Sequence, residues 1–359
     1  MKKTVLAGLL LTFSIFAFSQ TNASDSSWKT LEYAQVAFDC GNYGEALRLA
    51  NKASAQRKAE IQHEYNIMEV AITPKQVQRV GSEFVKVLPI LEERGQKEAI
   101  QITNKYLKLY GKDFFKDDIN VLTDWIKEKG VYPECDYLLG QIYQVEGEYS
   151  VSYTFYQKAL SETEYLDIPD SKYEILYSMA QLNKLRGDKD SYEKTLLLIL
   201  DNDQNYKNKS LLNAIVRTIK QDKVQNVDRL FMLYRAESKY SLKALADLSS
   251  LYEAENLDLE ALKFSALGVI EAFTHIDEIL KARDSRYKYT TFRDFLSECG
   301  KYDDIVEWGQ KNNIWNLMYD LGEKAGKNGC LVFSQNFFAA MAGSCPDPYY
   351  KALSKERIK

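Results

Sequence analysis

Only two histidines, His63 and His275, occur in the 359 residues, and no CxxC pair is present. A four-ligand zinc site of the Cys/His kind cannot be assembled from that set. There is no GxSxG, no P-loop and no dinucleotide-binding glycine fingerprint, so the usual patterns for acyl transfer and phosphate cradling are missing. Breakers are scarce too, with 6 prolines and 17 glycines, which favours helices joined by short turns. Excess base is absent. Lys and Arg total 47 against 51 Asp and Glu, and a net charge of −4 argues against a nucleic-acid or anionic-membrane surface. After residue 18 no apolar run approaches the roughly 18–20 residues that cross a bilayer.

What is present is a folding composition. Hydrophobic residues make up 45% and charged residues 27%, which rules out wholesale disorder. At the start, Lys2 and Lys3 precede 14 residues, Val5 to Phe18, interrupted only by Gly8, Thr12 and Ser14. A basic head, a short apolar stretch and small residues before polar sequence describe a secretory signal peptide over 1–19. Ala17-Phe18-Ser19 fits the small-x-small cleavage rule, and Thr21-Asn22-Ala23 is a second site. The first cysteine is Cys40, too distant for a lipid anchor at the cleavage point. The expectation is an exported chain, periplasmic or secreted, with no membrane-spanning segment after cleavage.

Export would permit disulfides. Five cysteines (Cys40, Cys135, Cys299, Cys330 and Cys345) leave at least one unpaired. Cys330 and Cys345 bracket a short segment and are the leading pair on spacing. Cys40 and Cys299 each precede a turn glycine, a place suited to a small apolar residue closing a helix.

Three segments share a pattern: Gly41-Asn42-Tyr43 with Ala46, Ala50 and Ala53; Gly147-Glu148-Tyr149 with Tyr156 and Ala159; and Gly300-Lys301-Tyr302 with Ile305. Each glycine stands between two helical apolar patterns, where it can take the left-handed conformation that ends a helix before the chain reverses. The unit is helix, tight turn, helix. In this it resembles the tetratricopeptide repeat family. Pro133 to Leu160 carries Leu139-Gly140, Tyr143, Gly147, Tyr149, Tyr156 and Ala159 at the family spacing, with Ser152 where Ala is usual. Tyr173 to Leu200 repeats it with Met179-Ala180 and Gly187-Asp188, though Lys189 replaces the turn aromatic. Leu242 to Gly268 keeps Leu245, Leu248-Ser249, Tyr252 and Ala261-Leu262, with Asn256 in its turn. Ser27 to Ala53 has Tyr33-Ala34 and an unusually good second helix, whereas the unit around Gly300 is weaker, because Arg293 stands where a small residue is expected. Gly147 and Gly187 are 40 residues apart, the surplus fitting a loop over 161–170, and the 106 residues from Gly41 to Gly147 leave room for about three units. Gln78 to Arg94 and Gln96 to Tyr110 read as helices flanking Gly95, with a kink or restart at Pro89.

The resemblance implies an all-α, right-handed solenoid, in which stacked hairpins bury one another's apolar faces and leave a concave groove. Behind the signal peptide it predicts degenerate hairpins over 20–130, the best-matched pair over 131–200, further hairpins and a capping helix over 201–345, and a mobile tail over 346–359. The groove would be lined by the first helix of each hairpin: Tyr137, Gln141 and Gln144 in one unit, Tyr177, Gln181 and Lys184 in the next. The Tyr-x-x-x-Gln echo places each tyrosine beside its glutamine on one helix face. Tyrosine offers a flat apolar surface, and glutamine can donate to and accept from a peptide backbone. The same residues would also suit a plain solvated face. With Lys184 the lone cation at these places, a clamp for a C-terminal carboxylate is not supported.

Catalytic patterns are thin. Glu60 and His63 are three apart, Glu271 and His275 four, so the doubled Glu-x-x-His of a carboxylate-bridged di-metal bundle is missing. No cofactor and no metal is expected. The segment 330–342 contains Cys330-Leu331-Val332-Phe333 and Phe337-Phe338-Ala339-Ala340-Met341. As a helix it would be apolar nearly all round, which suits either a cap on the last repeat or a surface for self-association. The expected function is a non-enzymatic adaptor of the cell envelope that takes a protein or peptide partner in its groove. Two alternatives are a small-molecule solute-binding accessory of an envelope transporter and a degenerate hydrolase.

Overall fold

A computed structural model describes the backbone of residues 26–70, 130–221 and 225–358, with side chains described as far as residue 61 in the first stretch. The signal peptide and the expected helices around Pro89 and Gly95 lie outside the described residues, and of His63 only the backbone, within α2, is described. Among the described residues there are sixteen α-helices and no strand, and the helices pack in pairs. The chain divides into two compact units, Met1–Ile175 and Leu176–Lys359.

In the first unit, α1 (Ser27–Asp39) and α2 (Tyr43–Val70) form one hairpin, and α3 (Pro133–Val145) and α4 (Tyr149–Ser161) form another. Both turns depend on glycine in the left-handed region, Gly41 at φ 75° and Gly147 at φ 83°. In each, two amides of the turn donate back to the last carbonyls: Gly41 N to Phe38 O and Asn42 N to Ala37 O, both at 2.9 Å, then Gly147 N to Gln144 O at 3.2 Å and Glu148 N to Tyr143 O at 2.9 Å. The carboxylate of Glu60 accepts from both the amide and the hydroxyl of Ser27 at 2.8 Å, satisfying donors at the start of α1. Gly140 is required by packing. A Cβ there would sit 2.5 Å from the ring of Tyr156, so the helices could not meet as they do. Ser152 replaces the usual alanine without an orphaned hydroxyl, because its Oγ donates to Gly140 O at 2.7 Å. The hairpins join through Ala46, Leu49, Ala50 and Ala53 of α2 against Cys135, Leu138, Leu139 and Ile142.

The first turn of α5 (Lys172–Leu185) belongs to the first unit and the rest of it to the second, so the boundary falls inside the pair predicted over 131–200. α5 turns at Gly187, φ 71°, into α6 (Lys189–Leu200). Where the turn aromatic is missing, Asp188 caps α6 by accepting from Ser191 N at 3.0 Å. Then come α7 (Gln204–Lys207), α8 (Lys209–Lys220) and α9 (Asn226–Leu233). α10 (Ser241–Ala254) and α11 (Asp258–Arg283) form the next hairpin. Asn256 holds its turn at φ 61°, a conformation asparagine tolerates better than most residues. α11 is 26 residues long and buried on nearly every side from Phe264 to Thr274, making it the central helix of this unit. α12 (Phe292–Cys299) and α13 (Asp303–Lys311) follow one another across Gly300, whose φ of −67° needs no glycine.

The last hairpin corrects three expectations. α14 (Ile314–Lys327) and α15 (Leu331–Ser344) turn at Gly329, φ 77°, and repeat the α3/α4 register residue for residue. Gly322 lies seven before the turn glycine, as Gly140 does. A Cβ on it would stand 2.7 Å from Phe338, in the place of Tyr156, and Ser334 Oγ donates to Gly322 O at 2.8 Å, as Ser152 does. The segment 330–342 is therefore the second helix of a hairpin rather than a lone cap. Its Phe333, Phe337, Phe338 and Met341 are buried within the unit, leaving Leu331 as its exposed large apolar side chain and no greasy face for self-association. The stretch predicted to be a mobile tail is α16 (Pro348–Arg357), capped by Asp347, which accepts from Tyr349 N at 2.9 Å and Tyr350 N at 3.2 Å. Proline at its first position suits a helix start, so the prolines read as a stop instead begin an element. Cys330 and Cys345 cap opposite ends of α15, ~20 Å apart at 1.5 Å per residue, and cannot bond to each other. All five cysteines are free thiols.

Candidate functional site

Three hairpins share one first-helix register. A close-approach residue (Gly140, Ala180 or Gly322) stands seven before the turn glycine, a tyrosine (Tyr137, Tyr177 or Tyr319) three before it, and Gln141, Gln181 or Glu323 one after it. The third set was readable at the same spacing but was obscured by the apolar texture of its surroundings.

The tyrosines stand in seams between helices. Tyr137 is half-buried against Ala159, Leu166 and Ile175, with its ring 5.9 Å from that of Tyr156. Gln141 donates to its hydroxyl at 3.1 Å, the neighbour contact that the four-residue spacing implies. Gln144 Oε1 accepts from Tyr156 OH at 2.7 Å, so that glutamine bridges the two helices of its own hairpin. Tyr177 is more deeply committed. Its hydroxyl donates to Tyr240 O at 2.5 Å and accepts from Ala244 N at 3.1 Å, joining α5 to the start of α10, and burial pushes its pKa upward. Tyr319 accepts from Arg357 Nε at 3.0 Å, and Arg357 Nη2 reaches Glu323 at 2.7 Å. The ring of Tyr350 lies tilted 5.9 Å from that of Tyr319, and its hydroxyl donates to Asn316 Oδ1 at 3.0 Å. Each tyrosine ties its helix to a segment later in the chain, Tyr137 to Leu166 and Ile175, Tyr177 to the start of α10, and Tyr319 to α16.

Of the six residues read as groove-lining, Gln181 and Lys184 are exposed, whereas Tyr137, Gln141, Gln144 and Tyr177 are partly buried and hydrogen-bonded within the fold. Gln181 and Lys184 lie nearly one turn apart on α5, and Lys184 Nζ sits 5.7 Å above the ring of Tyr192. Sequence pattern found the shared face but not its partners, because the seam contacts come from helices that the periodicity of a single segment does not show.

A cleft of about 490 Å³ opens elsewhere in the second unit, between α6, α7, α8, α10 and α11. Its floor is aromatic: Phe264 packs against Tyr206 at 5.8 Å and Tyr252 at 5.2 Å. The rim carries paired charges, Lys207 with Asp201 at 3.5 Å and Lys263 with Glu260 at 2.6 Å, while Lys209 stands at the first position of α8. Beneath α7, Glu271 is buried at 4% exposure and faces Asp203, whose Oδ1 caps α7 by accepting from Asn205 N and Tyr206 N. Burial first, then the neighbouring Asp203, pushes the Glu271 carboxyl up to about 10. Glu271 and His275, four apart in the sequence, diverge in the fold. Glu271 faces inward, while His275 is exposed with its ring 4.5 Å from that of Trp308. Among the described residues no three His, Cys, Asp or Glu converge as metal ligands, and no helix is long and apolar enough to cross a membrane.

No family model matches the chain. It is similar to an uncharacterized protein of Treponema pallidum, 26% identical over 356 residues that span 96% of this chain and 94% of that protein. An uncharacterized protein of Borreliella burgdorferi is 24% identical over 240 residues, spanning 59% of this chain and 73% of the other. The first similarity runs through the hairpins and the intervening segments alike.

Proposed function

We propose that the chain is a non-enzymatic adaptor of the bacterial cell envelope, exported behind a cleaved signal peptide. On this reading its tetratricopeptide-like hairpins form a right-handed solenoid that holds a polypeptide along the exposed faces of its first helices. The observation that carries the proposal is the shared register. Gly140/Ser152/Tyr156 and Gly322/Ser334/Phe338 make the same helix–helix junction, and tyrosine–seam contacts recur at Tyr137, Tyr177 and Tyr319. Such a construction yields stacked helices and extended surface rather than a closed reaction chamber. The contact residues assigned to the partner are Gln181 and Lys184, whose side chains are exposed on α5.

The test is capture by cross-linking in the native compartment, comparing the wild type with Gln181→Ala/Lys184→Glu. Both substitutions are on the surface and should leave stability within about 0.5 kcal/mol. Loss of one specific protein in the folded double variant supports the assignment, and retention of the same protein removes it. Tyr177→Ala would be a poor probe, since it also breaks the junction with α10.

A second reading, a solute-binding accessory protein, is favoured by the aromatic-floored cleft, whose volume is in the range of small-molecule sites, roughly 300–1,000 Å³. It requires saturable thermal stabilisation by a metabolite with no protein partner present, abolished by Phe264→Ser. A broad metabolite screen without a reproducible shift would retire it.

A further inference from the structure

The second unit holds three cysteines, and the helix between Cys330 and Cys345 keeps those two apart. Cys299 is different. It is the last residue of α12, and Cys345 caps the end of α15, a helix packed beside α12. A Cβ on Gly300 would stand 3.9 Å from the Cβ of Pro346, and one on Gly343 would stand 3.1 Å from Arg293 Nε. The chain at residues 300 and 346 is thus in van der Waals contact, and the two cysteines are the immediate chain neighbours of those residues, at the meeting ends of α12 and α15. Cys299 is fully buried, Cys345 is 3% exposed, and a negative charge on Cys345 would raise the pKa of Cys299. The other cysteines have different surroundings. Cys40 is exposed in the first unit, Cys135 donates to Ala50 O at 3.3 Å, and Cys330 lies at the far end of α15.

We propose that Cys299 and Cys345 are a disulfide-forming pair whose closure ties the C-terminal ends of α12 and α15 together. The oxidant is a disulfide, small-molecule or protein-borne. One cysteine thiolate attacks it, forming a mixed disulfide and releasing the first oxidant thiol. The second cysteine then attacks the protein sulfur of that bond and expels the second thiol. Two electrons pass to the oxidant, and the two cysteine protons end on its thiols. Burial raises both thiols, Cys345 to about 12, so few thiolates exist in the folded protein and neither is reachable. Closure therefore occurs during folding, or when α16 lifts away, and not by direct attack on the closed fold.

The experiment refolds the full mature chain with oxidised glutathione or with dithiothreitol, blocks free thiols after denaturation, and maps the unreduced peptides by mass spectrometry. Trypsin leaves Cys330 and Cys345 on one peptide, 328–351, so chymotrypsin is added to cut between them at Phe333, Phe337 and Phe338. A dominant link between Cys299 and Cys345, with the other three cysteines alkylated, is expected. The oxidised form should melt on the order of 5–10 °C above the reduced form, a difference lost in Cys299→Ser and Cys345→Ser. Glutathione added to the folded reduced protein should close the bond at least ~10-fold more slowly than it does during refolding. Alkylation of all five thiols after oxidative refolding, or a dominant link between any other two, overturns the proposal. The wild-type map decides this even if a serine variant fails to fold.

Discussion

Replacing Glu271 by glutamine should stabilise the protein, and by more as the pH rises. Glu271 is 4% exposed, and the burial and Asp203 beside it carry its pKa from an ordinary 4.5 to about 10. In the unfolded chain the carboxyl loses its proton near 4.5, while in the fold it keeps the proton until about 10. Between those values the unfolded state binds fewer protons, so the stability of the wild type falls as pH rises, by about 1.4 kcal/mol per unit. The contribution is intact below 4.5 and erodes through the whole window. At pH 7.5 the span is three units, on the order of 4 kcal/mol. Glutamine is nearly isosteric, carries no charge to lose, and keeps a donor for Asp203. Urea melts of wild type and Glu271→Gln at pH 5, 6, 7 and 8 measure the difference directly. The gap should widen steadily in favour of the variant. Parallel curves would refute the reasoning, because they would mean that Glu271 ionises in the fold much as it does in the unfolded chain.

Two further outcomes follow from the last hairpin. Gly322→Ala should cost about 1–3 kcal/mol, since the new Cβ would meet Phe338 at 2.7 Å, and Phe338→Leu in the same chain should recover part of the loss. Chemical denaturation of the single and double variants tests the coupling. Ending the chain after Ser344 should uncover Tyr319 and the α15 face that α16 covers, producing concentration-dependent association in size-exclusion chromatography where the full chain elutes unchanged.

How much of this was readable beforehand differs from element to element. Gly147 and Gly187 declared their turns, because a left-handed residue between two apolar periodicities has few other uses. Gly140 was legible as a close approach for the same local reason. The Tyr137–Gln141 contact followed from helical spacing alone. By contrast, the apolar run around Phe337 invited a reading as an exposed cap or docking surface. A hydrophobic sequence states that a helix will be covered, but not by what. Its actual covers include α14, which contains the overlooked Gly322, and α16, which had been taken for loose tail. The tyrosine ladder shows the same limit. Tyr177 looked available because its register pointed to one face, yet Tyr240 O and Ala244 N, more than sixty residues away, hold its hydroxyl.

Local chemistry in the sequence therefore determined the all-helical class, the positions of most turns and the pairing of helices into hairpins, since propensity, glycine conformation and spacing act within a few residues. Tertiary structure alone decided which faces stay open, that Cys345 ends beside Cys299 and far from Cys330, and that Glu271 keeps its proton. Those properties depend on burial and on neighbours brought together from distant parts of the chain, which no spacing rule contains.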